Sequence, residues 1–80
     1  MPYIPLAERF RASTRPQTSG ELNYAITALL VKYMNGAFEA PSYHANNDCI
    51  GALEGAKLEF YRRVAIPYEE TKRKSAGDVY

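Results

Sequence analysis

Residues 42–64 read SYHANNDCIGALEGAKLEFYRRV, and the fold turns on reading this stretch as one long helix with two working faces. At about 100° per residue, Cys49, Ile50, Leu53, Ala56, Phe60 and Val64 fall in one band, the apolar stripe a helix turns toward a core. Asn46 and Lys57 fall inside the same band. A buried amide or ammonium without a partner costs free energy, so two readings stand. Either each meets a polar group from another element, or Lys57 extends its charged head to the rim and Asn46 lies beyond the packed part.

The opposite face carries His44, Asn47, Gly51, Gly55, Leu58 and Arg62. Glycine inside a helix costs roughly 0.5–1 kcal/mol relative to alanine. Two of them four residues apart would let another backbone or a flat ligand approach closely, a geometry best known from membrane helices. The surrounding charges exclude a membrane span, and the alternative is that the pair carries no role.

Working outward, Ala37 to Pro41 is a short connection, and Ser42 is a suitable N-cap for a helix over 42–66. Before it, a helix over 20–35 opens on Thr18-Ser19-Gly20-Glu21, which fits the S/T-x-x-E capping box, and stops at Asn35-Gly36. Leu22, Ile26, Leu29, Leu30 and Tyr33 form its main stripe, while Tyr24, Ala28 and Val31 make the back apolar too. A helix apolar nearly all round is buried on both sides. Residues 1–19 read as an N-terminal arm: Pro2 and Pro5 hold Tyr3 and Ile4 out of the helical region. Pro5 then starts a short helix through Arg11, and 12–19 is a linker. At the other end Pro67 should end or kink the long helix at Ile66. Residues 67–80 then form a short helix with Glu69 and Glu70 in its first turn and Lys72-Arg73-Lys74 in its last, closed by Gly77.

Eighty residues make a single helical domain at most, and a chain this short buries a modest core, so small domains lean on oligomerisation, metals or disulfides. One cysteine excludes an internal disulfide framework; on the apolar stripe, Cys49 reads as a small core residue in a reducing cytoplasm. A net charge of +1 argues against nucleic acid as a partner by bulk electrostatics, and no apolar run is long enough for a bilayer. Seven tyrosines fit surfaces that are half apolar and half polar, as at interfaces.

Catalytic and metal chemistry find little support. Zinc takes three or four protein ligands, and this chain offers one histidine and one cysteine on opposite helix faces. The same separation defeats a Cys–His nucleophile pair, and no phosphate-binding glycine loop occurs. The expectation is a protein that is not an enzyme and uses no cofactor. The best binding candidate is Tyr61-Arg62-Arg63 with Tyr68, because arginine offers a planar fork for phosphate and tyrosine a flat face for a base. His44, Asn47 and Lys57 complete the candidate ligand-binding set. Against it, Glu59 lies four residues before Arg63 and three before Arg62, the spacing of ordinary surface ion pairs.

The runs GELNYAIT, SYH…IGALE and KLEFYRRVAIPYEETKRKSAGDVY resemble a family of small bacteriophage and bacterial proteins sharing a PYI-type start, an ELNY-type first helix, an EFYRR–PYE junction and a GDVY end. The resemblance covers nearly the whole chain and brings no catalytic assignment. It implies a small cytoplasmic protein with a phage or prophage link. By analogy with other compact phage oligomers, it suggests capture of a host nucleotide signal or the blocking of a host factor. The expected fold is all-α: two antiparallel main helices with short terminal helices, completed by homo-oligomerisation. Two functions follow, capture of a phosphate-bearing small molecule in an inter-subunit pocket, or binding of a host or virion protein.

Overall fold

The computed structural model describes residues 4–80, and the expected geometry of Pro2 and Tyr3 lies outside the described residues. A 3-10 turn, Leu6–Glu8, leads into α1 (Arg9–Thr14), α2 (Ser19–Ala37) and α3 (Tyr43–Phe60). A π-helical segment, Tyr61–Ala65, then joins α3 to α4 (Ile66–Ala76). No strand occurs among the described residues, so the chain is all-α. It falls into two compact units, Met1–Asn46 and Asn47–Tyr80.

In the N-terminal unit the first helix starts and ends later than the proline and linker signals imply. Pro5 caps the 3-10 turn, and α1 runs on through Thr14. Hydroxyls compensate for the polar composition there, since Ser13 and Thr14 donate to the Phe10 carbonyl at 2.9 and 3.0 Å. The Arg9 Nε donates to the Ile4 carbonyl at 3.0 Å, tying down the buried Ile4.

Helix α2 begins one residue earlier than expected. Thr18 is its N-cap, and the Thr18 hydroxyl accepts from the Glu21 N–H at 3.1 Å. The carboxylate of Glu21 does not close the reciprocal half of a capping box on Thr18. It accepts instead from the Gln17 N–H at 2.9 Å and from Arg11 of α1. That ion pair decides which face of α2 is covered. Helix α1 packs on α2 along the side that carries Glu21, and Ala25 and Ala28 on this helix are half-buried, as is Tyr24. Of the expected main stripe, Leu22, Ile26, Leu29 and Tyr33 are exposed and Leu30 is half-buried, and Val31 on the back is exposed as well, so the expected burial on both sides is not met. Small side chains admit a short helix closely, and the Arg11–Glu21 bridge fixes where it lies.

Asn35-Gly36 does not stop α2. Gly36 has no positive φ, so the pair stays helical, and the helix ends where Phe38 turns extended (φ −127°, ψ 143°) while its N–H reaches the Met34 carbonyl at 3.1 Å. Phe38 is held edge-on by two rings, Tyr33 at 6.1 Å and His44 at 5.8 Å between centroids. Ser42 caps α3, its hydroxyl accepting from the Ala45 N–H at 3.0 Å.

In the C-terminal unit the helical path does not stop at Pro67. Ile66, the residue before the proline, keeps right-handed helical angles (φ −64°, ψ −48°), and its N–H reaches the Tyr61 carbonyl five residues back. A proline inside an α-helix removes a donor and drives its ring into the carbonyl four residues earlier. Inserting a π turn immediately before it widens the backbone there, which relieves that clash without breaking the helix. Pro67 then occupies the first turn of α4, where its missing N–H costs least. Helix α4 ends at Gly77, whose φ of 89° is a conformation L side chains rarely adopt.

The buried apolar residues among those described are Ile4, Ala12, Ala45 and Cys49. Every large apolar residue of the C-terminal unit is exposed, Ile50 at 65 % and Phe60 at 64 % included.

Candidate functional site

Tyr61, Arg62 and Arg63 lie in the π segment, and Tyr68 lies in the first turn of α4. The π register thus coincides with the three residues that the sequence marks for anion binding. Their side chains differ in how free they are. The Arg63 Nε donates to the Glu59 carboxylate at 2.7 Å, with both side chains more than half exposed, so this is the surface pair the i, i+4 spacing implies. Arg62 makes no hydrogen bond or ion pair among the described residues and is exposed. Tyr61 and Tyr68 are also exposed, and the Lys72 Nζ sits 5.7 Å from the centre of the Tyr68 ring. One face of that ring is therefore already occupied by a cation from its own helix.

The remaining candidates are placed apart. Lys57 pairs with Glu54 at 3.4 Å on the surface of α3, and Asn47 is exposed. Of the two readings of Lys57, the one that extends its charged head outward fits: its ammonium lies in solvent on Glu54, while the stripe beside it, Ile50 and Phe60 included, is exposed where packing was expected. His44 belongs to the N-terminal unit, where its ring packs against Phe38. The two helix glycines open onto space within the chain, since a Cβ at Gly51 or Gly55 would meet nothing within 4 Å.

Three shallow hollows among the described residues are lined by none of these candidates. One of about 200 Å³ is formed at the end of α4 by Glu69, Lys72, Arg73, Ala76, Gly77, Asp78 and Val79. Its guanidinium, Arg73, is engaged by Glu70 at 3.0 Å and Asp78 at 3.4 Å, and the Glu70 bond above all raises its pKa further above the ordinary arginine value. A second, of about 250 Å³, lies between α1 and α2 and is lined by Ser13, Thr14, Ala25, Ala28, Leu29 and Lys32. A third, of about 380 Å³, continues down α2 along Leu29, Lys32, Tyr33, Gly36 and Ala37. Both hollows on α2 are mostly apolar at their walls, and neither brings two cations together.

The most constrained polar group is one that sequence reasoning did not single out. The Arg11 fork meets both oxygens of Glu21, Nη2 to Oε2 at 2.7 Å and Nη1 to Oε1 at 3.0 Å. Glu21 is held below the ordinary carboxylate range, first by the Arg11 bond and then by the Gln17 N–H. Only the acidic residue at the third helical position hinted at it, and that position points to a cap. The partner is ten residues away, beyond any helical spacing.

Among the described residues no group of three or more His, Cys, Asp or Glu is placed to hold a metal ion, and no helix is long and apolar enough to cross a membrane. What these elements define is a small all-helical protein whose polar groups are spent on capping and surface pairing, with large apolar side chains left open. The chain belongs to the family described as Domain of unknown function (DUF6899), which matches residues 1–79. No curated protein and no solved structure matches it.

Proposed function

We propose that this protein is a non-catalytic binding module that works by docking apolar helix faces onto a protein surface. One observation carries the reading: large apolar side chains stand exposed along α2, α3 and the π segment, while among the described residues the buried apolar set contains only Ile4, Ala12, Ala45 and Cys49. Burying a Leu- or Phe-sized side chain stabilises by roughly 1.5–3 kcal/mol. Exposed large residues at helical spacing are therefore what association would use, and contiguous apolar patches mark such surfaces. Light scattering combined with a bis-ANS titration tests this. The expected result is a mass above the 9.0 kDa of one chain, or a monomer that binds the dye through its open faces. A monomer that binds no dye would overturn it.

A second reading is favoured by the coincidence of the π segment with Tyr61, Arg62 and Arg63, because single π turns recur at functional sites. In it the exposed Arg62 captures a phosphate-bearing small molecule, such as a host nucleotide signal in a bacteriophage setting, with Tyr61 and Tyr68 alongside. No bond is made or broken. A thermal-shift series with mono-, di- and cyclic nucleotides tests it, since a ligand at 100 times its Kd adds about 2.7 kcal/mol. Stabilisation that Arg62→Ala abolishes is the expected outcome. Equal response in wild type and variant would exclude Arg62.

A further inference from the structure

The C-terminal unit holds an apolar seam with no partner in that unit. Ile50, Leu53, Lys57, Phe60 and Val64 follow one another at intervals of three, four, three and four residues, the heptad spacing that lines up one side of a helix for a second helix. The four apolar members are 65, 40, 64 and 50 % exposed. In heptad terms Ile50, Lys57 and Val64 take one core position and Leu53 and Phe60 the other. Lys57 stands in the middle of the seam with its ammonium on Glu54, which flanks the seam in the preceding heptad.

We infer that this seam is covered by the same seam of a second copy running antiparallel to it. The charges select that occupant and that direction. In a parallel pair Lys57 faces its own copy in the same layer, two ammonium groups in an apolar strip, and Phe60 faces Phe60. In an antiparallel pair centred on Gly55, Lys57 lies over the partner's Leu53, with the partner's Glu54 beside it. The ion pair is then exchanged between copies twice by symmetry, as a self-complementary two-fold interface requires. Phe60 meets the partner's Ile50, large against medium, at both ends. A single polar core residue of this kind fixes register and direction at some cost in affinity. The paired strip from Ile50 to Phe60 is about 15 Å long, with Val64 over the partner's Asn46 at its edge, at the small end of specific interfaces, so association in the micromolar range is expected. Gly51 and Gly55 fall on the far side and take no part. The inference rests on the docking reading above and names its partner.

Sedimentation velocity between 1 and 200 µM decides it, using wild type, Lys57→Glu, the Glu54→Lys/Lys57→Glu double variant and Leu53→Glu. The expected result is a wild-type dimer, at least tenfold weaker association in Lys57→Glu and Leu53→Glu, and recovery in the charge-swapped double variant. Direction is read separately from spin labels on Lys72→Cys in a Cys49→Ser background. The antiparallel pair places the two labels about 50 Å apart along the axis, and a parallel pair within roughly 25 Å. Short label distances, or a dimer indifferent to all three variants, would overturn the seam while leaving association as such intact. A wild type that stays monomeric at 200 µM would overturn the second copy as occupant, and dye binding by that monomer would still support docking onto a different protein.

Discussion

Arg11 and Glu21 lie ten residues apart and grip each other through two parallel bonds, 2.7 and 3.0 Å long, so that one side chain joins α1 to the first turn of α2. The same carboxylate accepts the Gln17 N–H, which ties the connecting loop into the joint. The short helix α1 has little apolar surface of its own to hold it in place, its one buried residue being Ala12.

Acid should therefore loosen this joint. Glu21 is held below its ordinary value of about 4.5, with the Arg11 bond the largest cause. A depressed folded-state pKa contributes stability that is fully present above the unfolded value. That stability is lost as pH falls from about 4.5 through the lowered value. Thermal melts of wild type and Glu21→Gln from pH 7 to pH 2 should differ most at neutral pH and converge at the acid end. Parallel curves throughout would show that the carboxylate contributes nothing through its charge.

Much of the secondary structure is legible in the residues, and the misses share a cause. Thr18, Ser42 and Gly77 sit where capping chemistry puts them, because a cap is a local interaction between neighbours. The end of α2 is misread at Asn35-Gly36, where the glycine is permitted to turn but not required to, and Phe38 stops the helix through rings at 33 and 44. The continuation through Pro67 is misread because a π turn before a proline leaves no mark in hydrophobic periodicity. Which face of α2 is covered depends on the Arg11–Glu21 pair, a tertiary fact. Of the candidate site, Arg63 meets the Glu59 that its spacing names, while the freedom of Arg62 and the coverage of the Tyr68 ring depend on side-chain placement that spacing does not fix.

Pro67→Ala should let the π segment relax into continuous α-helix. The π turn already relieves the ring clash and Pro67 sits in the first turn of α4, so removing it recovers little backbone energy, while losing proline's entropic benefit in the unfolded chain costs about 0.4–1 kcal/mol. A stronger helical circular dichroism signal with a Tm no higher than that of wild type is expected. An unchanged circular dichroism signal would mean that the π turn is held by something other than the proline.

Gly55→Ala should stabilise the protein by roughly 0.5–1 kcal/mol, the helix penalty of a glycine, since a Cβ there meets nothing within 4 Å. It should also leave self-association untouched. A lowered Tm, or weakened association, would reveal that a second backbone approaches along Gly51 and Gly55, as their spacing first suggests.

Whether the exposed apolar faces serve association is tested most directly by the melting temperature as a function of protein concentration. Binding between folded copies stabilises by mass action, so the docking account predicts a Tm that climbs steadily from 1 to 100 µM and a mass that climbs with it. A single Tm across that range, with the mass fixed at 9.0 kDa and no dye bound, would contradict it.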